Sequence, residues 1–296
     1  MPIQFQPLSN KNKAKFKKMT FPIYVNSIIK MKIGKEIFGM TVEESDFPIG
    51  LILAEPKRSI KEVKILSIFL EKKYRDKGVG KELIRHFINY IKTLGCQKIK
   101  IVYEQGRKYS QIINKLAKGA SFSPEKVRGI MCRCLGSKLR KAPWLQKQLL
   151  PSSFQLFPWK EITSSQKIFI KDQYLHLESF PEMLNPFHDK QIIEYLNSLG
   201  LLYDNEVVGW QINHRIAEDT IRYTAMYVRE DLQKFGLAIP LMIESIRKHI
   251  YCGNFNLNKA TFFIPEVLNP MTEFVNNHMK PFIDQINQSI EREVIL

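Results

Sequence analysis

The sequence carries the same strand–turn–helix pattern twice, 158 residues apart (75 to 233). In the first copy Ile65 to Leu70 is an apolar run of strand formers, and Arg75-Asp-Lys-Gly-Val-Gly80 is a charged turn. Leu83, Ile84, Phe87, Ile88 and Ile91 then recur at helical spacing. In the second copy Tyr223 to Val228 precedes Gln233-Lys-Phe-Gly-Leu-Ala238, and an amphipathic stretch runs from Ile239 to His249. Leu70 and Val228 each stand five residues before the Arg or the Gln. A strand that turns on glycine into a helix presents N–H groups at the helix N-terminus, a positive concavity suited to phosphate. Arg75, Lys77 and Lys81 add charge to the first of these turns. The two starts rhyme as well: Ile3-Gln-Phe-Gln-Pro7 and Phe154-Gln-Leu-Phe-Pro158 each precede a polar helix. A duplicated domain of roughly 150 residues, enough for one core per copy, accounts for this.

Composition narrows the partners. A chain of 296 residues, 44% of them apolar, can build two cores, and no apolar run nears the ~20 residues of a membrane span. The lysines near the N-terminus are not followed by an apolar segment of the secretory kind, so a cytoplasmic setting is expected. Cys96, Cys132, Cys134 and Cys252 make no metal-ligand spacing and read as reduced thiols. Neither those cysteines nor the six histidines suggest a metal. The net charge of +16 is uneven: residues 1–148 hold 32 Lys/Arg against 11 Asp/Glu, and residues 149–296 hold 13 against 18. The basic half should draw anions: phosphates, an acidic peptide segment, nucleic acid or acidic lipid. Nucleic acid is disfavoured because no recognition helix or RNA-reading aromatic motif is present. Neither a Walker loop nor a dinucleotide Gly-x-Gly-x-x-Gly occurs.

Arg75-x-x-Gly78-x-Gly80 after a strand resembles the acyl-CoA-binding motif of the GNAT (GCN5-related) N-acyltransferases, Arg/Gln-x-x-Gly-x-Gly/Ala, and Gln233-x-x-Gly236-x-Ala238 matches it again. The resemblance spans nearly the whole chain. It implies an α/β fold with mixed sheets in two tandem GNAT-like domains, residues 1–145 and 146–296. The element pattern agrees. A first strand is followed by two short helices in 10–35. A hairpin, Ile37 to Val42 with Pro48 to Ala54, and a turn at Arg58 to Lys61 come next. After the motif come a strand Lys98 to Tyr103, a helix Tyr109 to Lys118 and a strand Val127 to Leu135 closing the first unit. Gly136 to Pro151 reads as a packed joint. In the second unit, helices are expected at Gln166–His176 and Asp189–Leu199, and a hairpin across Asp204-Asn-Glu206. Strand Ala260–Ile264, helix Asn269–His278 and a closing strand or helix over Phe282–Leu296 complete it.

The resemblance also implies chemistry. The motif strand splays from its neighbour, pantetheine lies in the gap, and the diphosphate sits on the loop amides. The expected binding residues are Phe69, Leu70, Arg75, Asp76, Lys77, Gly78, Val79, Gly80 and Lys81, with Val228, Gln233, Gly236 and Ala238 in the second copy. An amide near Leu70 or Val228 would polarise the thioester carbonyl of acetyl-CoA or a longer acyl-CoA while a primary amine attacks. The family's frequent tyrosine acid and glutamate base are replaced, by Lys115 and Lys64 in one copy and about Asn276 and Arg222 in the other. Candidates from the residues themselves are Tyr103, Glu55, His214 and Tyr223, of which Tyr103 and His214 are singled out. CoA is expected at the first unit and the acceptor, a small molecule or a Lys/ornithine side chain of a peptide, toward the second. A CoA sensor or scaffold without turnover is the alternative reading.

Overall fold

A computed structural model describes residues 2–30, 32–57, 61–147, 150–177, 180–187, 192–252, 257–267 and 269–296. They form two compact units: residues 1–128 with 288–296, and residues 129–287. These are not the consecutive stretches 1–145 and 146–296, because the closing strands are exchanged.

In the first unit β1 (Ile3–Pro7), β2 (Phe38–Glu44), β3 (Phe47–Lys57) and β4 (Glu62–Leu70) form an antiparallel meander. β5 (Lys98–Glu104) then pairs parallel to β4. The sixth strand is β12 (Gln285–Ile295), antiparallel to β5 from Ser289↔Glu104 to Ile295↔Lys98. Helices α1 (Lys13–Phe16) and α2 (Pro22–Lys30) cover one face, where Phe16, Met19 and Ile28 pack with Leu51 and Leu53. Helices α3 (Val79–Thr93) and α4 (Ser110–Gly119) belong to the other. There Leu83, Ile84, Phe87 and Ile91 meet Ile52, Ala54, Ile65 and Ile99. Alternate residues of β3 thus feed two cores, as the period of a strand requires.

In the second unit β6 (Lys126–Leu135) is antiparallel to β11 (Lys259–Pro265). β11 runs parallel to β10 (Thr220–Val228). β9 (Glu206–Ala217), β8 (Leu199–Tyr203) and β7 (Phe154–Pro158) complete an antiparallel meander. Helix α5 (Gly136–Leu139) and the turn Pro143–Gln146 form the joint, with Trp144 and Leu145 buried, so it packs. Helix α6 (Ser164–Ile170) opens on a capping box of Thr163 and Gln166 and continues as a π turn to Leu175. Helices α7 (Glu230–Gln233), α8 (Ala238–Arg247) and α9 (Asn269–Phe274) complete the inventory used below.

Three expectations change. Val127–Leu135 closes the second unit and Phe282–Leu296 supplies the strand that closes the first. Both are half-apolar strands, and their periodicity marks faces without naming partners. Of the expected helix 189–199, residues 189–191 lie outside the described residues, Ile193 bridges to His214, and 195–197 is turn. There Glu194 N donates to Asn213 O and Arg215 N donates to Ile192 O, so the backbone extends β9 instead of coiling. Residues 58–60 of the expected turn also lie outside the described residues. Counted by units, Lys/Arg against Asp/Glu is 28 to 13 in the first and 17 to 16 in the second. The basic field stays with the first unit, and the second is neutral rather than acidic.

Candidate active site

The two motif strands open at the same place. β4 pairs with β5 only from Glu62↔Lys98 to Ile65↔Ile101, and β10 with β11 only from Thr220↔Lys259 to Tyr223↔Phe262. Immediately beyond, each strand has a bulge against its antiparallel neighbour. Leu66 is extra between the pairs Ile65↔Ala54 and Ser67↔Leu53, and Thr224 between Tyr223↔Asn213 and Ala225↔Ile212. A bulge bends and twists the strand that carries it, which opens a V. Glu71 N donates to Ile49 O, and Arg229 N donates to Val208 O. The alternation of an antiparallel ladder therefore turns the amides of Leu70 and Val228 the other way, toward the gap.

The first turn follows. Asp76 and Gly78 both have positive φ, 59° and 82°, which makes alternating main-chain N–H groups converge. Among the described residues the amides of Asp76 to Gly80 have no hydrogen-bond acceptor, and those of Lys81 and Glu82 donate to Gly78 O. A Cβ on Gly78 would meet nothing within 4 Å, so the loop is open on that side. Gly80 lies against Leu116 of α4, 3.2 Å from where its Cβ would be. Arg75 does not reach outward with its Nε, which donates to Leu70 O at 2.8 Å. Gln233 repeats this in the second unit, its Nε2 donating to Val228 O at 2.9 Å. The first residue of each motif thus clamps the turn to its strand. The second turn is wound tighter: Gly236 N donates to Gln233 O, and only Gly236 has positive φ there. Lys77 and Lys81 are exposed, Val79 is buried under the first loop, and Ala238 stands where Gly80 does. Phe69 packs beneath α1 and α2, while Leu70 lies on the α3 side.

The two proposed proton-handling residues are not side by side. Tyr103 lies two residues past the last β4–β5 pair, and its hydroxyl donates to Glu125 Oε1 at 2.6 Å. It lines a cavity of about 400 Å³ with Arg107, Lys108, Asn114 and Glu125. Burial first, and the Glu125 carboxylate second, hold its phenol well above the usual range, so it stays protonated. That cavity contains no residue of the 75–81 turn. His214 is 2% exposed on β9, with Nδ1 2.8 Å from the hydroxyl of Thr224, the bulge residue. Lys115 and Asn276 are exposed, while Lys64 and Arg222 are half-buried on their strands.

Sequence reasoning missed a polar interior in the second unit. Phe38, Ile52, Ala54, Ile65, Phe87 and Ile91 of the first core are matched in register by Asn197, Gln211, Asn213, Tyr223, Ser245 and His249. Asn213 Nδ2 donates to Asn197 O and Ser245 Oγ, and Gln211 Nε2 donates to Asn213 Oδ1. His249 Nε2 donates to Leu257 O, so its Nδ1 accepts from the Tyr223 hydroxyl at 3.0 Å. Burial lowers the His249 pKa to about 4. The signal was available, since polar residues at helical spacing on the buried face of α8 have no counterpart in α3. Among the described residues no three His, Cys, Asp or Glu side chains are grouped to hold a metal ion.

A bulged, splayed strand ending at a nest of free amides is the arrangement that the resemblance to the GNAT acyltransferases led us to expect. Residues 17–111 match the acetyltransferase (GNAT) family. The tandem GNAT protein from the clavulanic acid biosynthesis pathway superimposes with a TM-score of 0.74 at 10% identity, over 99% of this chain and 98% of that one. A GCN5-related N-acetyltransferase from Sphaerobacter thermophilus gives 0.60 at 10% identity, over 99% and 95%. The GCN5-related glucosamine N-acetyltransferase region of a fungal multi-domain GH3 β-N-acetylglucosaminidase gives 0.67 at 11%, over 99% and 38%. No curated protein matches in sequence. Residues 17–111 thus match a family of acetyltransferases that use acetyl-CoA as donor, and the chain as a whole has the fold of tandem GNAT proteins.

Proposed function

We propose that the first unit binds the CoA thioester and passes its acyl group to a primary amine. The observation that supports this is the difference between the turns: five unpaired amides at Asp76–Gly80 in a basic unit, against a second turn whose Gly236 amide is already used. In this reading the diphosphate lies on those amides and the helix α3 N-terminus, with Lys77 and Lys81 adding charge. Pantetheine lies in the V, and the Leu70 amide receives the developing oxyanion, a contribution of about 3 kcal/mol for such a donor. The amine attacks the carbonyl carbon, the C–S bond breaks, and the amine's proton leaves to solvent or to a nearby base. Tyr103 is ill suited to protonate the thiolate, because its anion would lie against Glu125.

The acceptor is a small-molecule amine or a Lys- or ornithine-type side chain of a peptide. The donor's acyl group is acetyl or longer, with Phe69 and Phe87 among the apolar side chains near the strand. An acidic segment of a peptide acceptor would be attracted by the first unit. The test is thiol release from acetyl-CoA and longer acyl-CoAs with a panel of amines, together with mass spectrometry of the purified protein for retained acyl-CoA. Gly78→Glu with Gly80→Glu should abolish CoA binding and Gly236→Glu should spare it; the reverse result moves the donor site to the second unit. CoA binding without release for any pair supports the sensor reading, which the replacement of the usual acid and base by Lys115 and Lys64 favours.

A further inference from the structure

The first 35 residues contain eight lysines and no acidic residue. Within this segment α1 and α2 lie over β3 and β4, held by Phe16, Met19 and Ile28 beneath. Its outer side is unusual. Phe21, Ile23 and Ile29 are 53%, 46% and 50% exposed, on and beside a nine-residue helix that also exposes Asn26 and Lys30. Exposed lysines flank them along the chain: Lys11, Lys17, Lys18, Lys30, Lys32 and Lys35, none with an ion-pair partner among the described residues. Lys13 and Lys15 are the engaged pair, on Ile29 O and Glu43.

Protruding apolar side chains in a segment of unpaired lysines suit a surface that is both anionic and able to admit hydrocarbon. We infer that α1 and α2 dock the protein on an acidic phospholipid bilayer, lying in the interface with Phe21, Ile23 and Ile29 among the acyl chains and the lysines at the headgroups. An acidic peptide fits less well, because these side chains project from a helix and line no groove. Nucleic acid would leave them without a partner. The exposed side of α2 carries Ile23 and Ile29 with Asn26 and Lys30 between them, Phe21 stands just before it, and the other side is tied to the protein core, an arrangement that lets apolar side chains enter a bilayer while lysines stay at the headgroups. Because α2 packs on Leu66 and Phe69 of the splayed half of β4, docking would bring the V within about one helix diameter, ~10 Å, of the headgroups.

Co-sedimentation of the full chain with vesicles tests this. Binding is expected to 3:1 phosphatidylcholine:phosphatidylglycerol vesicles and not to phosphatidylcholine alone, and should weaken as salt rises. Lys17→Ala with Lys18→Ala should lower partitioning roughly fivefold per lysine. Phe21→Ser with Ile23→Ser and Ile29→Ser should reduce it at least tenfold while CoA affinity is unchanged. Phe21→Trp gives a second readout: its fluorescence should be quenched by brominated acyl chains. The proposal is overturned by no binding to acidic vesicles, by binding that the triple Ser variant retains in full, by no quenching of Trp at position 21, or by tighter capture on polyglutamate or DNA than on lipid.

Discussion

Arg75 and Gln233 occupy the positions where family likeness suggests a phosphate ligand, yet each turns back on the carbonyl five residues upstream. Their common role is to hold the turn in shape, and the second copy shows that an amide suffices. Arg75→Gln is therefore expected to keep the KM for acetyl-CoA within about threefold, and Arg75→Leu to raise it roughly tenfold with kcat little changed, the scale of one lost hydrogen bond. Equal damage by both variants in steady-state kinetics would show that charge matters and the clamp does not. The second residue-level case is His249. Its folded pKa of about 4 lies below the ordinary 6.5, so the unfolded chain takes up a proton that the folded one refuses. Its contribution is complete above pH 6.5 and is lost as pH falls from 6.5 toward 4. Urea unfolding should lose about 2–3 kcal/mol from this group between pH 7 and 4.5. His249→Gln should lack that component of the slope, and an unchanged slope would remove His249 from the account.

At the scale of elements, the strand–turn–helix copies could be read from the sequence because apolar period and glycine placement are local properties. The bulges could not. Leu66 and Thr224 share no chemistry, and an extra residue in a ladder shows only in the pairing, although both fall one residue after the parallel pairs end. The false helix at 192–198 failed for a related reason, since its apolar spacing fits a helix while its amides serve β9. Within the turn the two glycines have different reasons to be there. Gly78 is needed for φ of +82°, whereas Gly80 only lets Leu116 approach. Gly78→Ala should cost about 1 kcal/mol in thermal unfolding and weaken CoA binding. Gly80→Ala, the residue the second copy already carries at Ala238, should leave both nearly unchanged. Calorimetry and CoA titration on the two variants decide it, and equal effects would mean that backbone conformation at 78 is not what the turn requires.

For the whole molecule, the repeat of roughly 150 residues was legible but its partition was not, because hydrogen-bond ladders carry no label for their partner. One local clue existed. Gly129, at φ of +147°, sits so close to Ile264 O that a Cβ would lie 2.0 Å from it, which ties the start of β6 to β11. The exchange makes the first unit depend on residues some 160 positions further along the chain, 288–296 against 128. β12 supplies the ladder along β5 and buries Ile290. Its Arg292, 4% exposed, donates to Ser123 O and to Asn114 Oδ1 at 2.6 Å each. Without β12 the amides and carbonyls of β5 that it pairs become a free edge, and the carbonyl and side chain of Asn114 lose their donor. A chain ending at Asn287 is therefore expected to lose hydrogen-exchange protection throughout β5 and to bind CoA at least tenfold more weakly. β8, β9 and β10, whose ladders lie wholly within the second unit, should remain protected. A synthetic peptide of residues 285–296 added in trans should restore β5. If a chain of residues 1–145 instead protected β5 as fully as the intact protein, its own strand 126–135 would be able to fill the place of β12, and the exchanged pairing would be a preference between equivalent partners instead of a requirement of the fold.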